Sequence, residues 1–399
     1  MTDVDPHCLT DHQMLLSISS VERIFIGTIV PVLLIFGISG NILNLTVLLT
    51  PTMRTRSNVL LSCLAIADIV FLVFMVPHAL AHYRIFYLNY WFRRLYLGYK
   101  TQILYVINWA SAAAIWLILV ICLERLMGIM YPLSARRHKK STRTAIIVTI
   151  IVVTTGFLTS YNHFTSFCAT KHFCNGTQFH ATCKRADEEI WFRNQTNPSS
   201  DLVKAIAHYG AHVNAVCVVV IPILLVAISN AMLIYTIRQR QNQFTMQSSI
   251  KSDSQLSGSQ SKTEHKVTIT VCAIVTCFII TQGPSAFTTV LAQYYPKHKS
   301  IIAVTAVVTT MVVLGKALNF VLFCLSSANF RARLLQQTRQ GLLKKASRRM
   351  STATRSTTLE SVSIKLLPKS TRFFKGRSTS QTMNERVTVQ EFKRGRSIL

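Results

Sequence analysis

Residues 109–133 of the chain read WASAAAIWLILVICLERLMGIMYPL, an apolar run that ends in the acid–base pair Glu124 and Arg125. No charged residue occurs at positions 103–123. A helix of about twenty mostly apolar residues is long enough to cross the hydrocarbon core of a bilayer. The run therefore predicts a transmembrane helix whose charges lie at one end.

Six further apolar runs of similar length lie on either side of this one. The seven predicted spans are residues 24–50, 59–82, 103–130, 144–166, 212–237, 267–291 and 301–325. Several contain a proline, which a membrane helix tolerates because neighbouring groups re-satisfy the freed backbone carbonyls. The spacing predicts an all-α membrane protein, with a seven-helix bundle at residues 24–325 after an N-terminal segment at residues 1–23.

The charged residues are separated from the apolar runs. The chain has 399 residues, of which 50% are hydrophobic, and its 43 Lys and Arg against 15 Asp and Glu give a formal net charge of +28. A soluble protein this basic would be a candidate nucleic-acid binder. Here the basic residues lie between and after the apolar runs, and the mean hydropathy is +0.35. The sequence therefore predicts the lipid bilayer as a partner, and no nucleic acid.

The distribution of positive charge predicts the orientation in the membrane. The connection at residues 134–143 contains five basic residues and no acid, whereas the N-terminal segment is acidic. The positive-inside rule then places the N-terminus outside the cell and the C-terminus in the cytoplasm. Residues 84–100, with four basic residues on the predicted outer side, are a counter-example.

After the last span the chain becomes basic and rich in Ser and Thr. Phe330, Leu334 and Leu342 share one helical face, which predicts a short amphipathic helix at residues 326–343 on the inner leaflet. A soluble tail helix is the alternative. Residues 344–399 lack any apolar periodicity and are predicted to form a disordered cytoplasmic tail.

The ten cysteines form no repeated CxxC pairs, so no metal site is predicted. Six of them lie in apolar runs, where cysteine is usually a packing residue. The other four lie in polar segments and are disulfide candidates if those segments are extracellular: Cys8, Cys168, Cys174 and Cys183.

Polar residues inside the spans carry a family resemblance. The motifs, in chain order, are GNILNL with Asn41, LAIAD with Asp68, ERL with Glu124 and Arg125, YPL with Pro132 and Leu133, Pro222, Phe278 six residues before Pro284, and NFVLF from Asn319 to Phe323. This ordered set resembles the rhodopsin-like (class A) G-protein-coupled receptors over residues 25–335. The resemblance implies an extracellular ligand, an intracellular heterotrimeric G protein, and location in the plasma membrane.

The resemblance also implies roles for single residues. Arg125, with Pro132 and Leu133 after it, would couple to the G protein, and Glu124 would hold Arg125 at rest. Glu264 falls where some members carry a second carboxylate of this resting-state lock, although a surface charge is the alternative. An activation relay would comprise Ile115, Pro222, Phe278, Pro284, Asn319 and Phe323. Arrestin and a receptor kinase would bind through the tail. No residue is predicted to be catalytic, and no cofactor is expected.

Several positions depart from the family pattern. The usual Trp two residues before Pro284 is Gln282, and the usual Pro and Tyr of the last motif are Phe320 and Phe323. Lys100 replaces the Cys that anchors the long extracellular loop in most relatives. We therefore expect Cys8 to pair with one loop cysteine and the remaining two to close a local hairpin.

The predicted spans lack the residues that bind the ligand in amine receptors and in opsins, which excludes two ligand classes. Ile107 stands where amine receptors carry an acid, and Val313 stands where opsins carry the retinal lysine, so neither ligand is expected. Peptide, lipid and small odorant remain. Segments such as MRTRSNVLLSCLAIAD resemble invertebrate neuropeptide receptors, including those for FMRFamide-like peptides. We predict a peptide ligand, with a chemosensory small molecule as the alternative.

The loop at residues 167–204 is long enough to cover the mouth of a pocket. Its acidic residues are candidates for contact with a basic peptide, although a solvated charge run is the commoner explanation: Asp187, Glu188 and Glu189. Asn175 (NGT) and Asn194 (NQT) are possible glycosylation acceptors.

Lys316 lies deep in the seventh span and needs a partner. Leu325 near the inner end is nine residues further on, about 13 Å of helix, whereas a lysine stem reaches about 6 Å, so snorkelling falls short. Relatives bind sodium beside the acid here represented by Asp68. We expect the Lys316 ammonium to replace that sodium in an intramembrane ion pair with Asp68. An ion-coupled transporter that used these two residues is a rival function, but the chain has no self-similar halves.

Overall fold

A computed structural model describes residues 5–17, 19–51, 55–131, 141–248, 276–292, 294–295, 298–326, 332–336 and 339. The chain divides into two compact units, Met1–Arg339 and Gln340–Leu399. The second unit, and with it the predicted disordered tail, lies outside the described residues.

Long helices dominate the described residues. Helix α1 comprises Ser20–Ile24, a π-helical turn at Phe25–Ile29, and Val30–Leu48. It is followed by α2 (Arg56–Leu80), α3 (Tyr90–Met130) and α4 (Ser141–Thr159). Helix α5 comprises Asp201–Asn214, a π-helical turn at Ala215–Val220, and Ile221–Ser248. Helix α6 is described over residues 276–292, and α7 is Lys299–Ser326. Two short helices, Arg84–Tyr87 and Tyr161–Phe164, precede α3 and follow α4.

The predicted fold class is confirmed. Within the described ranges, six helices are long and apolar enough to cross a membrane, namely α1 to α5 and α7. Helix α6, described over residues 276–292, overlaps the remaining predicted span at residues 276–291. Of the predicted amphipathic helix, residue 326 is the last residue of α7, and residues 332–336 and 339 are described and helical. Leu334 packs against the core of the bundle. Phe330 and Leu342 lie outside the described residues.

Two helices begin earlier than their hydropathy predicts. Helix α3 begins at Tyr90, where the Asn89 side chain accepts a hydrogen bond from Phe92 N at 2.9 Å. Helix α5 begins at Asp201, where Ser200 caps in the same way. The predicted spans began at residues 103 and 212 because hydropathy detects only the apolar part of a helix. The caps mark the true starts, because their side chains satisfy backbone N–H groups that have no partner within the helix.

Helix α3 runs through the centre of the bundle. Its buried side chains, including Ile115 and Leu117, join a core cluster with α2, α4, α5 and α6. Ile107 and Ala110 join a second cluster with α1, α2 and α7. Large apolar side chains on the outside, such as Phe157 and Phe287, remain exposed. This arrangement is suited to a bilayer, where an exposed apolar surface contacts lipid.

A cap of non-helical segments covers one end of the bundle, which we call the hairpin end. The cap comprises residues 5–17 and the antiparallel hairpin of β1 (Ser166–Phe173) and β2 (Gln178–Arg185). Backbone hydrogen bonds join the two parts, from Cys174 N to His7 O at 2.9 Å and from Asp5 N to His172 O at 2.8 Å. The N-terminal segment therefore extends the hairpin.

Candidate functional site

A cavity of about 320 Å³ lies within the bundle, between α2, α3, α5, α6 and α7. Its lining residues on α2 and α3 are Phe71, Met75, His78, Leu104, Ile107, Asn108, Ser111, Ala112 and Ile115. Those on α5, α6 and α7 are Asn214, Val218, Val219, Gln282, Ser285, Thr288, Thr289, Ala292, Thr305, Val308, Thr309 and Val312. The lining combines apolar side chains with polar ones, and none of these lining residues is Asp, Glu, Lys or Arg.

Two residues that line the cavity each have a side-chain oxygen without a hydrogen-bond partner among the described residues. The two oxygens belong to Asn214 on α5 and Thr305 on α7, and both are buried. A buried polar group without a partner costs about 1–3 kcal/mol. A ligand that hydrogen-bonds these atoms would recover that cost.

Three of the predicted relay residues are buried in the helices that surround the cavity. Ile115 lines the cavity and belongs to the same core cluster as Phe278, and both side chains are buried. Pro222 is buried in α5, just after the π-helical turn. Gln282, in place of the expected Trp, is also buried and lines the cavity. A ligand in the cavity would therefore contact side chains whose repacking shifts α3, α5 and α6 relative to one another.

The structure brings Asp68 and Lys316 together next to this cavity. Lys316 Nζ lies 3.3 Å from Asp68 Oδ1, and the two residues are 1% and 0% exposed. Asn319 Nδ2 donates to the other carboxylate oxygen, Oδ2, at 2.5 Å. The ammonium also lies 5.7 Å from the ring centroid of Phe71, which lines the cavity. The pair thus adjoins the cavity wall without lining the cavity itself.

A close approach of α1 and α7 holds this pair in place. A Cβ atom at Gly37 would lie 3.1 Å from the Ala317 Cα atom, so a larger residue there would force the helices apart. Asn41 Nδ2 donates to Lys316 O at 3.3 Å and to Gly37 O at 2.9 Å. The backbone of Lys316 is therefore fixed against α1 while its side chain points to Asp68.

At the end of the bundle opposite the cap, Glu124 has a partner that the sequence did not indicate. Arg56 Nε, in the first turn of α2, lies 3.7 Å from Glu124 Oε1. We expected Glu124 to hold its neighbour Arg125. In the sequence, Arg56 is a basic residue at the predicted start of a span and so a possible partner for Glu124. The distance between the two residues could not be inferred from the sequence. Of the other predicted coupling residues, Pro132, Leu133 and Glu264 lie outside the described residues, as does the side chain of Phe323.

Two of the three acidic residues that follow the hairpin form contacts within their own loop. Asp187 forms a two-point ion pair with Arg185, with Nε–Oδ1 and Nη2–Oδ2 distances of 3.0 and 3.1 Å. Glu188 Oε1 accepts a hydrogen bond from Arg185 N at 3.1 Å, whereas Glu189 is exposed. These contacts shape the loop and leave less negative charge for a ligand than the sequence suggested.

The four candidate cysteines form two disulfides, and both lie within the cap. Cys8 is bonded to Cys174, and Cys168 is bonded to Cys183 across the hairpin. The two possible glycosylation acceptors, Asn175 in the hairpin turn and Asn194, are both exposed. No group of three or more His, Cys, Asp or Glu that could hold a metal ion occurs among the described residues.

Arg93 is a buried residue that the sequence reasoning missed. It lies in the first turn of α3 beneath the cap, and its side chain is fully buried. Burial lowers the pKa of Arg93 to about 10, so the guanidinium remains charged at neutral pH. Burial, and then the Arg93 charge, lower the pKa of the neighbouring His180. A basic residue in a predicted loop gave no signal of burial, because arginines in loops are ordinarily exposed.

Comparison with known proteins identifies relatives across the whole bundle. A family model described as "Serpentine type 7TM GPCR chemoreceptor Srw" matches residues 28–337. The chain is 52% identical over 415 aligned residues to the Caenorhabditis elegans protein named "Putative G-protein coupled receptor F59B2.13", covering 98% of this chain and 96% of the relative. A second C. elegans protein, "Probable G-protein coupled receptor B0563.6", is 29% identical over 140 residues, about a third of each chain (33% and 32%).

Proposed function

The chain belongs to the Srw family of serpentine seven-transmembrane G-protein-coupled chemoreceptors, and on that premise we propose that it detects a small uncharged molecule. The ligand binds in the cavity between α2, α3, α5, α6 and α7, and binding activates a heterotrimeric G protein. The family is one of receptors, in agreement with the prediction that the chain is not an enzyme. The observation that carries the proposed ligand class is the cavity lining, because none of the described residues that line the cavity is Asp, Glu, Lys or Arg.

A charged ligand would fit this lining poorly. Moving an ion from water into a low-dielectric site costs far more than moving a neutral molecule, unless an opposite charge is present. The buried charges next to the cavity wall, Asp68 and Lys316, already pair with each other at 3.3 Å. A neutral ligand with a few polar groups instead matches the apolar side chains and the unpaired oxygens of Asn214 and Thr305.

A neuropeptide remains the second candidate. It is favoured by the size of the cap, where two segments of the chain form one layer that could contact an extended ligand. The resemblance of the spans to receptors for FMRFamide-like peptides also favours a neuropeptide ligand. The acidic run offers less support, because Asp187 and Glu188 both bind Arg185.

The proposed orientation places the cap outside the cell and the Ser/Thr-rich tail in the cytoplasm, in the plasma membrane. Two disulfides in the cap support this orientation, because disulfides form and persist in oxidising compartments. The exposed positions of Asn175 and Asn194 are compatible with glycosylation on the same side. On the cytoplasmic side, the basic connection at residues 134–143 and Arg125 would bind the G protein. Arrestin and a receptor kinase would bind the tail.

Transmission through the bundle would begin at the relay residues. Ligand contact with Ile115 and its neighbours would repack the core around Phe278 and move the end of α6 away from α3. The ion pair between Arg56 and Glu124 joins α2 to α3 near the G-protein side at rest. Release of this contact would favour the active arrangement, because it removes an interaction that stabilises the resting state and so shifts the population toward the active state.

The test is a two-part screen in cells that express the full chain with a promiscuous G-protein readout. One panel contains small uncharged molecules and the other contains peptides, including FMRFamide-like sequences. Thr309→Phe fills the cavity and should abolish the response to a small molecule. Thr154→Phe, the matched control on the exposed face of α4, should leave it unchanged. A response to peptides alone, insensitive to Thr309→Phe, would reject the cavity as the ligand site.

A further inference from the structure

Arg93 makes hydrogen bonds to three separate segments of the chain. Its Nε donates to Phe179 O at 2.6 Å, and its Nη2 lies 3.3 Å from His180 Nδ1, both on β2. Its Nη1 donates to Met14 O at 2.6 Å, in the N-terminal segment, and to Tyr87 O at 2.9 Å, in the short helix before α3. One side chain therefore contacts both halves of the cap from the start of α3.

These acceptors are neutral, which is unusual for a buried cation. A buried charge is normally paired with an opposite charge, yet no carboxylate lies within salt-bridge distance of Arg93 in the described part of the chain. The planar guanidinium can donate in several fixed directions at once, and three carbonyls together with an imidazole nitrogen use those directions. The contacts of Arg93 therefore depend on the geometry of its guanidinium as well as on its charge.

The disulfides of the cap do not fix it to the bundle. Cys8–Cys174 and Cys168–Cys183 both join one part of the cap to another. The ion pair between Arg84 and Asp11, at 2.8 Å, does link the N-terminal segment to the short helix, but both side chains are exposed. Exposed ion pairs contribute little to stability. The polar attachment of the cap to α3 therefore depends mainly on Arg93.

The attachment continues to the ligand cavity through Tyr96, about one helical turn after Arg93. Tyr96 is buried in a cluster with Leu97 and with Phe179, the residue whose carbonyl Arg93 binds. The Tyr96 hydroxyl lies 2.8 Å from His78 Nδ1, and His78 lines the cavity. The position of the cap is thereby connected to a residue in the cavity wall.

We propose that Arg93 is a positioning residue for the ligand cavity: it fastens the cap to α3 and so holds Tyr96 against His78. Release of Arg93 frees Phe179, and Tyr96 then loses the packing that orients its hydroxyl. His78 then loses its hydrogen-bond partner, and the cavity wall becomes more mobile at the hairpin end. The inference uses the proposed function in taking this cavity as the ligand site, but its test needs no ligand.

The attachment is tested by hydrogen–deuterium exchange on the full chain in lipid nanodiscs. Arg93→Gln should raise amide exchange in residues 5–17 and 166–185 at least about tenfold, because hydrogen bonds from a charged donor are among the stronger ones. Arg94→Gln is the matched control, since Arg94 is exposed over the Trp91 ring, and should leave exchange unchanged. Arg93→Lys, which keeps the charge but donates from one centre, should give an intermediate rate and serves if Arg93→Gln does not reach the membrane.

The effect on the cavity is tested by the reactivity of Ser111→Cys, a cavity position, toward a small methanethiosulfonate reagent. The parent chain without this substitution gives the background from native cysteines. Arg93→Gln should raise the reaction rate at Ser111→Cys several-fold, and Arg94→Gln should not. Tyr96→Phe removes only the hydroxyl, so it should raise the reaction rate while leaving cap exchange unchanged.

The outcomes separate the possible failures. Unchanged cap exchange in both Arg93 variants would show that the cap is held by other contacts, and the proposal would be wrong. Faster cap exchange with an unchanged rate at Ser111→Cys would restrict Arg93 to a structural role and would also overturn it. Because neither measurement involves a ligand, a failed ligand screen would count against the proposed function and not against this inference.

Discussion

The ion pair between Asp68 and Lys316 allows a prediction whose size follows from the structure. The charged atoms lie 3.3 Å apart, and both residues are buried. With an effective dielectric constant of about 20, their attraction is roughly 5 kcal/mol. Removing one partner of a buried pair typically costs about 3–5 kcal/mol, because an uncompensated charge is left behind. Removing both should cost less than removing either one.

The variants are Asp68→Asn, Lys316→Met and the double substitution, expressed as the full chain. Thermal unfolding of the purified protein, together with the amount at the cell surface, measures their stability. Each single variant should lower the unfolding temperature more than the double variant does. Lys299→Met is the matched control, because Lys299 is exposed at the start of α7, and should change little. If the effects of the two single substitutions simply add in the double variant, the pair is not coupled and the reasoning is refuted.

The same ion pair predicts that the unfolding temperature of the protein does not depend on sodium. If the Lys316 ammonium occupies the place of a sodium ion beside Asp68, the unfolding temperature should be the same in sodium chloride and in choline chloride at equal ionic strength. Lys316→Met, which leaves the carboxylate accessible to another cation, should become more stable in sodium than in choline. A marked sodium effect on the unsubstituted chain would contradict this assignment.

Three further predictions concern coupling, the tail and pH. Arg125→Ala should abolish evoked signalling with surface expression intact, and Glu264→Ala should raise basal signalling; unchanged basal signalling would identify Glu264 as a surface charge. Truncation after Ser347 should slow internalisation measured by surface labelling without reducing G-protein signalling, because phosphorylation of the removed Ser/Thr residues is expected to recruit arrestin. Burial and the Arg93 charge lower the pKa of His180 below 6.5, so the attached cap binds fewer protons than the released cap. Attachment should therefore be fully favoured above pH 6.5 and weaken as the pH falls below it. Amide exchange of the cap, corrected for its intrinsic pH dependence, measures this, and His180→Gln should remove the dependence.

The sequence by itself determined the architecture of the bundle. Apolar length and the exclusion of charge are local properties, and a bilayer turns each long apolar run into a helix because no other structure satisfies the backbone within one segment. The order of the polar motifs by itself indicated a receptor. The pairing of Lys316 with Asp68 was also inferred from the sequence, because a deep ammonium needs a counter-charge and few acids lie within the spans.

The tertiary structure alone decided what happens at the ends of the helices and between them. The first turns of α3 and α5 contain charged residues, so hydropathy assigned them to loops although their caps make them helical. The contact of Glu124 with Arg56 joins residues far apart in the sequence. In the sequence, Arg93 cannot be distinguished from other basic loop residues. In the structure, two distant segments cover it and accept its hydrogen bonds. The burial of Arg93 and the partner of Glu124 depend on which segments meet in space, and no local pattern in the chain indicates that these segments meet.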